Sequence, residues 1–195
     1  MTRLGVLVSG RGSNLAAILR ACRDGDLAAE VAIVASNKPG CGALEVAREA
    51  TVPVVQAFTL GEYGDLRRRD AAIADALKLA GVDVVVTAGY DRVLDEGFVA
   101  AFEGRILNLH PSLLPAFRGG MNAIADALDA GVSQTGVTVH LIEPHTLDGG
   151  RILAQEAIEV RPDDTLESLS LRVHEVEHRL LPAAIKAFIE TSLVR

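Results

Sequence analysis

Short apolar runs rich in β-branched residues alternate along the chain with longer stretches in which Ala and Leu recur at helical spacing. The runs fall at residues 4–8, 31–35, 52–55, 82–87, 105–109, 136–142 and 151–160. The helical stretches fall at 13–22, 43–49, 64–79, 95–102, 122–128 and 166–190. Near-continuous apolar runs flanked by helices belong to strands covered on both faces, as in parallel sheets. The alternation therefore predicts an α/β fold: a mostly parallel, twisted sheet of about seven strands with helices on both faces. The last two runs are joined by a short Gly-containing turn at 147–150, which predicts a hairpin and so an antiparallel strand. Pro182 predicts a kink or restart in the final helix, because proline has no N–H to donate. No repeat, low-complexity tract or linker divides the chain, so residues 1–195 are expected to form one domain.

Composition sharpens this picture. Hydrophobic residues make up 49% of the chain but aromatics only 4%, and Trp is absent, so the core must be built from Ala, Val, Leu and Ile. The net charge is −7 and no long basic block occurs, which disfavours a general electrostatic grip on nucleic acid or anionic lipid. An anionic ligand then needs a local site. Cys22 and Cys41 form no CxxC pair and no metal-ligand spacing, so a reducing, cytoplasmic location is expected. The N-terminus starts at once with a strand-like run rather than a leader, and no stretch reaches the ~20 apolar residues of a membrane helix.

Ligands of open α/β sheets collect at the carboxyl ends of strands. Segments 9–14, 88–94, 108–118 and 143–150 are read as leaving such ends. The first, Ser9-Gly10-Arg11-Gly12-Ser13-Asn14, joins a strand to a helix start. Converging backbone N–H groups and the helix dipole favour an anion there, with Ser13 and Asn14 as added donors or as helix caps. Leu15 stands where a dinucleotide fingerprint needs its third glycine, and the P-loop lysine is absent. The segment is either an ordinary tight turn or, the better reading, a pocket for one phosphate group.

Asn108 and His110 lie two apart on a predicted strand and so point to one side of it, with Pro111 and Pro115 stiffening the exit. An amide and an imidazole so held can polarise a carbonyl and stabilise an oxyanion. Asp148, in the turn Leu147-Asp148-Gly149-Gly150, offers a carboxylate that favours the imidazolium form of a nearby His. Taken singly, each of these residues also fits a plain structural role in a turn.

Together, in order and spacing, segment 9–14, Asn108-Leu109-His110-Pro111-Ser112-Leu113-Leu114-Pro115, Gly136-Val137-Thr138-Val139-His140 and Leu147-Asp148-Gly149-Gly150 resemble the glycinamide ribonucleotide formyltransferases of purine synthesis. The resemblance implies a Rossmann-like formyltransferase fold. It also implies transfer of a formyl group from 10-formyltetrahydrofolate, the co-substrate, to the amine of a phosphorylated acceptor. It assigns Asn108, His110 and Asp148 to catalysis, with Asp148 raising the pKa of His110, and Gly12, Ser13 and Asn14 to the acceptor's phosphate. Glu177 falls to the acceptor's ribose, with His174 near the phosphate. Asp91, Arg92, Val93 and Leu94, with Asn108, fall to the folate. Plain core packing is the alternative for Val93 and Leu94. An Arg that some relatives place against the folate is matched here by Leu66, with Arg67 beside it. No metal is implied. Small-molecule substrates, no nucleic-acid or membrane partner, and a monomer or homodimer are expected.

The segment Arg118-Gly119-Gly120-Met121-Asn122 departs from the family pattern, which keeps open a formyltransferase for another amine, such as an amino sugar nucleotide. A nucleotide-binding oxidoreductase is the reading from another class, and the missing third glycine opposes it. His174-Glu175-Val176-Glu177-His178 fits the zinc pattern HExxH, but only residues 179–195 remain to supply a third ligand, and they are mostly apolar or helical. His140, on an apolar strand, and His145, in a turn, are expected to be structural.

Overall fold

The computed structural model describes residues 1–120 and 122–192. In chain order the elements are β1 (Thr2–Val8), α1 (Ser13–Asp24), β2 (Ala29–Ser36), α2 (Gly42–Glu49), β3 (Val54–Ala57), α3 (Leu60–Tyr63), α4 (Leu66–Leu79), β4 (Val84–Thr87), α5 (Glu96–Ala101), β5 (Ile106–His110), α6 (Ala123–Asp129), β6 (Gln134–Leu141), β7 (Ile152–Glu159) and α7 (Leu166–Ser192). Each apolar run becomes a strand, and each helical stretch a helix; α3, a single turn capped by the Thr59 hydroxyl on the Glu62 N–H, is added.

Among the described residues the strands form one sheet in the order β3-β2-β1-β4-β5-β6-β7. The first five are parallel, whereas β5–β6 and β6–β7 are antiparallel. The predicted hairpin is therefore present, and β6 is reversed as well. Segment 143–150 follows the carboxyl end of β6, as expected, but the reversal puts that end at the opposite edge from the carboxyl ends of the parallel strands. Leu141, the last residue of β6, pairs with Leu107 near the start of β5, and the Ile142 N–H bonds the Ile106 carbonyl. The segment leaves the sheet at the amino end of β5 and folds back over its face. Gly150 permits the close return: a Cβ there would collide with the Leu141 carbonyl.

Two apolar layers hold the sheet. On one face, Leu4, Val6, Val84, Val86, Leu107 and Leu109 pack with Leu15 and Ile18 of α1, Leu44 of α2 and Val173, Leu181 and Ile185 of α7. On the other, Leu7, Ile33, Val85 and Ile106 pack with Ile73 and Leu77 of α4 and Phe98 of α5. Since strand side chains alternate between faces, Thr87 and Asn108 lie on this second face with Val85 and Ile106. The fully buried Arg69–Asp70 pair of α4 supports the 88–95 segment, because the second Asp70 oxygen accepts the Asp95 N–H at 2.8 Å.

The final helix runs continuously through Pro182, correcting the expected restart. Val173, Val176, Leu181, Ala184, Ile185 and Phe188 are buried along it on both sides of the proline. That packing outweighs the loss of one backbone hydrogen bond. Cys22 and Cys41 are free thiols, and among the described residues no helix is long and apolar enough to cross a membrane.

Candidate active site

Asn108 and His110 project from the carboxyl half of β5 towards Asp148, and the three side chains meet. Asn108 Nδ2 lies 3.4 Å from Asp148 Oδ1, and His110 Nδ1 lies 3.6 Å from Asp148 Oδ2. His110 is 6% exposed, while Asn108 stays half-buried. The backbone N–H of Gly119 donates to Asp148 Oδ2 at 2.9 Å, so the carboxylate also ties the hairpin turn to the loop after β5. Asp148 and Phe117 both adopt positive φ, 48° and 57°, an unfavourable conformation for residues with a Cβ that the surrounding contacts must hold.

His110 sits between two acceptors, the Asp148 carboxylate and the Phe117 carbonyl, 3.2 Å from Nε2. An imidazolium would satisfy both. Burial nevertheless pushes the imidazole below its ordinary pKa, outweighing the upward pull of Asp148 and of the Phe117 carbonyl; the neighbouring His140 ring adds to the depression. As expected, the Asp148 carboxylate pulls the His110 pKa upward, but desolvation is the larger influence and the net shift is downward. Asp148 itself is held below the usual carboxylate range, first by His140 in so far as its ring carries a proton on both nitrogens, and then, against burial, by the Gly119 N–H and His110.

His140 was expected to be structural, yet it borders this site. Its Nδ1 lies 2.9 Å from the Leu141 carbonyl, and its Nε2 lies 3.0 Å from Asn108 Nδ2 and 3.6 Å from Asp148 Oδ1. With Nδ1–H donating to the carbonyl, Nε2 accepts from the Asn108 amide. On the far side of that amide, Thr87 donates to Asn108 Oδ1 at 2.5 Å. The sequence signals for both were faint: one imidazole in an apolar strand, and one hydroxyl ending a run of valines.

At the carboxyl end of β1, the glycine turn opens α1. Gly12 occupies the N-cap position at φ 93°, where a Cβ would strike the Ala43 backbone. No side chain caps this helix, so the capping role considered for Ser13 and Asn14 is not taken. Ser13 is exposed, and with Arg11, Gly12, His174, Glu175 and His178 it lines a cavity of about 450 Å³. Arg11 is a cation that the sequence reading passed over. Burial, then the charges of Arg11 and His178, holds His174 below its ordinary pKa. Asn14 turns inward instead, donating to the buried Glu177 carboxylate at 3.0 Å and leaving its own Oδ1 without a partner among the described residues. Burial raises the Glu177 pKa, against the Asn14 hydrogen bond.

The 88–94 segment is pinned to the glycine turn. The Asp91 N–H donates to Ser9 Oγ at 3.0 Å, and the Ser9 N–H to the Gly89 carbonyl at 3.0 Å. The Asp91 carboxylate is engaged by Asn37 and Lys38. Burial pushes its pKa up, and Lys38, Asn37 and Ser9 together bring it below the usual value. Arg92 is exposed and Val93 is 69% exposed, so core packing does not account for Val93, whereas Leu94 packs partly against the α4–α5 layer.

The HExxH residues His174 and His178 stack with ring centroids 6.3 Å apart. Among the described residues no group of three or more His, Cys, Asp or Glu side chains could hold a metal ion.

Comparison with known proteins places the chain in a family. The family model described as formyl transferase matches residues 2–185. The phosphoribosylglycinamide formyltransferase of Haemophilus influenzae is 38% identical over 99% of this chain and 90% of its own length. The Bacillus subtilis protein of the same name is 36% identical over 97% of this chain and 95% of its own. The crystal structure of glycinamide ribonucleotide transformylase 1 from Symbiobacterium toebii superposes with a TM-score of 0.93 at 44% identity, covering 97% of this chain and 88% of that one. With the match running almost end to end in both sequence and fold, the chain belongs to the formyl transferase family, alongside the phosphoribosylglycinamide formyltransferases.

Proposed function

We propose that this protein transfers the formyl group of 10-formyltetrahydrofolate to the amine of N1-(5-phosphoribosyl)glycinamide, a step of purine biosynthesis. The observation that carries the reading is the meeting of Asn108, His110 and Asp148 at one point, on a chain whose relatives bear that activity by name.

The acceptor's uncharged amine attacks the formyl carbon, forming a C–N bond and moving the carbonyl π electrons onto oxygen. Asn108, through its amide N–H, and His110, through a ring N–H, stabilise the oxyanion. The developing negative charge draws a proton from solvent onto His110, which burial otherwise disfavours, and Asp148 supports the resulting imidazolium. The oxyanion then collapses and the bond from the formyl carbon to the folate nitrogen breaks. That nitrogen takes a proton from His110, while the new amide nitrogen gives up its extra proton to water or to Asp148. No bond to the enzyme forms.

The acceptor's phosphate occupies the cavity at Gly12 and Ser13, opposite Arg11 and His174. Its ribose hydroxyls meet Glu177 and the free Oδ1 of Asn14. The folate ring lies along residues 91–94, where Arg92 and Val93 are open to it and the backbone offers donors and acceptors. Residues 1–195 act as one formyltransferase unit in the cytoplasm, with the phosphate held by the N-terminal half and catalysis by the C-terminal half. Incubation with both substrates tests the reading. Formylated acceptor should appear, and His110→Ala should abolish it with the fold intact. Formylation of an amino sugar nucleotide instead would favour the second reading, to which the unusual segment at 118–122 gives weight.

A further inference from the structure

Three side chains from adjacent strands form a row across the second face of the sheet. Thr87 of β4 is in register with Asn108 of β5, and Asn108 with His140 of β6. Thr87 is 3% exposed and His140 is 1% exposed, so both flank the amide from within the protein rather than from solvent.

An Asn amide has two ends of nearly equal size, and only its NH₂ end can donate to an oxyanion. A site relying on Asn108 must therefore hold one of two orientations. Thr87 Oγ1 approaches Asn108 Oδ1 to 2.5 Å, against 3.3 Å to its other acceptor, the Leu107 carbonyl. Its single proton is thus directed chiefly at the amide oxygen. On the opposite side His140 Nε2, with Nδ1 committed to the Leu141 carbonyl, accepts one amide proton at 3.0 Å. Donation into the amide oxygen also polarises the C–N bond and strengthens the remaining N–H as a donor.

We infer that Thr87 is a positioning residue for formyl transfer: its hydroxyl fixes and polarises the Asn108 amide so that the N–H not given to His140, which reaches towards Asp148 at 3.4 Å, is turned into the site where the formyl oxygen would take it. The inference rests on the proposed reaction, but Thr87 touches neither substrate.

The test compares Thr87→Val, which keeps shape and removes the hydroxyl, with Thr87→Ser, which keeps the hydroxyl. Thr87→Val should lower kcat about ten-fold, the scale of one lost hydrogen bond to a working group, with KM for both substrates within about two-fold of the parent. Thr87→Ser should recover kcat to within about three-fold. An unfolding midpoint close to the parent's for Thr87→Val would show that the loss is not one of folding. Parental kcat in Thr87→Val, no recovery in Thr87→Ser, or an effect confined to KM overturns the inference. Hydrogen exchange of the Asn108 side-chain amide, followed by NMR, reads the same relationship whether or not the parent protein turns over. Exchange at least about ten-fold faster in Thr87→Val than in the parent and Thr87→Ser supports it, and equal rates in all three overturn it. Absence of formyl transfer by the parent protein would instead count against the proposed function.

Discussion

The Asp148 carboxylate accepts the backbone N–H of Gly119 at 2.9 Å with the same oxygen that faces the His110 ring. One group thereby fixes the loop after β5, returns the hairpin turn to the site and supplies the imidazole's counter-charge. Asp148→Asn keeps an acceptor oxygen and removes the charge. It should lower kcat by about 100-fold or more, on the scale of removing charge support from a catalytic His or an oxyanion donor. Without the upward pull of Asp148, the His110 pKa falls further, so the limb of the kcat–pH profile that declines with rising pH should move to lower pH. Steady-state kinetics across pH will show both effects, and a variant with the parental profile would remove Asp148 from the mechanism.

Stability should depend on His110. Burial depresses its pKa below the ordinary 6.5, so the unfolded chain binds its proton more readily than the folded one. The contribution to stability is complete above pH 6.5 and is lost as pH falls through the depressed value. The folded environment that sets this balance consists of Asp148, the Phe117 carbonyl and His140. Urea unfolding midpoints should rise with pH through the window just below 6.5, and His110→Gln should flatten part of that rise. His174 and His178, also depressed by burial, should account for the remainder.

Glu177 has the opposite sign. Burial raises its pKa above the ordinary 4.5, so its contribution is complete below that value and is lost as pH rises through the elevated one. Glu177→Gln should therefore match the parent's stability in acid and exceed it at neutral pH. It should also raise KM for the acceptor by about ten-fold, as expected for a lost charge-assisted hydrogen bond to a hydroxyl. A neutral-pH midpoint below the parent's would contradict this account of the buried carboxyl.

Arg11, within the glycine turn, lines the same cavity as His174. Arg11→Ala should raise KM for the phosphorylated acceptor about ten-fold and leave KM for the folate unchanged, because the lost cation serves only the phosphate end. Competition by inorganic phosphate should weaken in parallel. An equal rise in both KM values would mean that Arg11 supports the fold of the turn rather than the anion.

The strands and helices were legible because apolar spacing sets local structure directly. Within the run at 82–87, Val84–Thr87 is buried on both sides as β4, and within the Ala/Leu pattern at 64–79, Leu66–Leu79 becomes α4. Asn108 and His110 were readable as a pair because strand geometry places residues two apart on one side. The local penalty of Pro182 is visible in sequence, whereas the burial of Leu181, Ala184 and Ile185 that keeps the helix from restarting there is not.

The sequence by itself determined most of the local conformations and the glycine turn, since these follow from residues near one another in the chain, and it singled out Asn108, His110 and Asp148 only as candidates. Tertiary structure alone decided that β6 runs antiparallel to β5, that Asp148 returns over the sheet from its far end, and that Thr87 and His140 flank Asn108. Strand register and solvent exclusion are properties of segments brought together from distant positions. The same cause sets the direction of the His110 shift: a neighbouring carboxylate favours the charged ring, but burial, which only packing sets, is the larger influence and lowers the pKa.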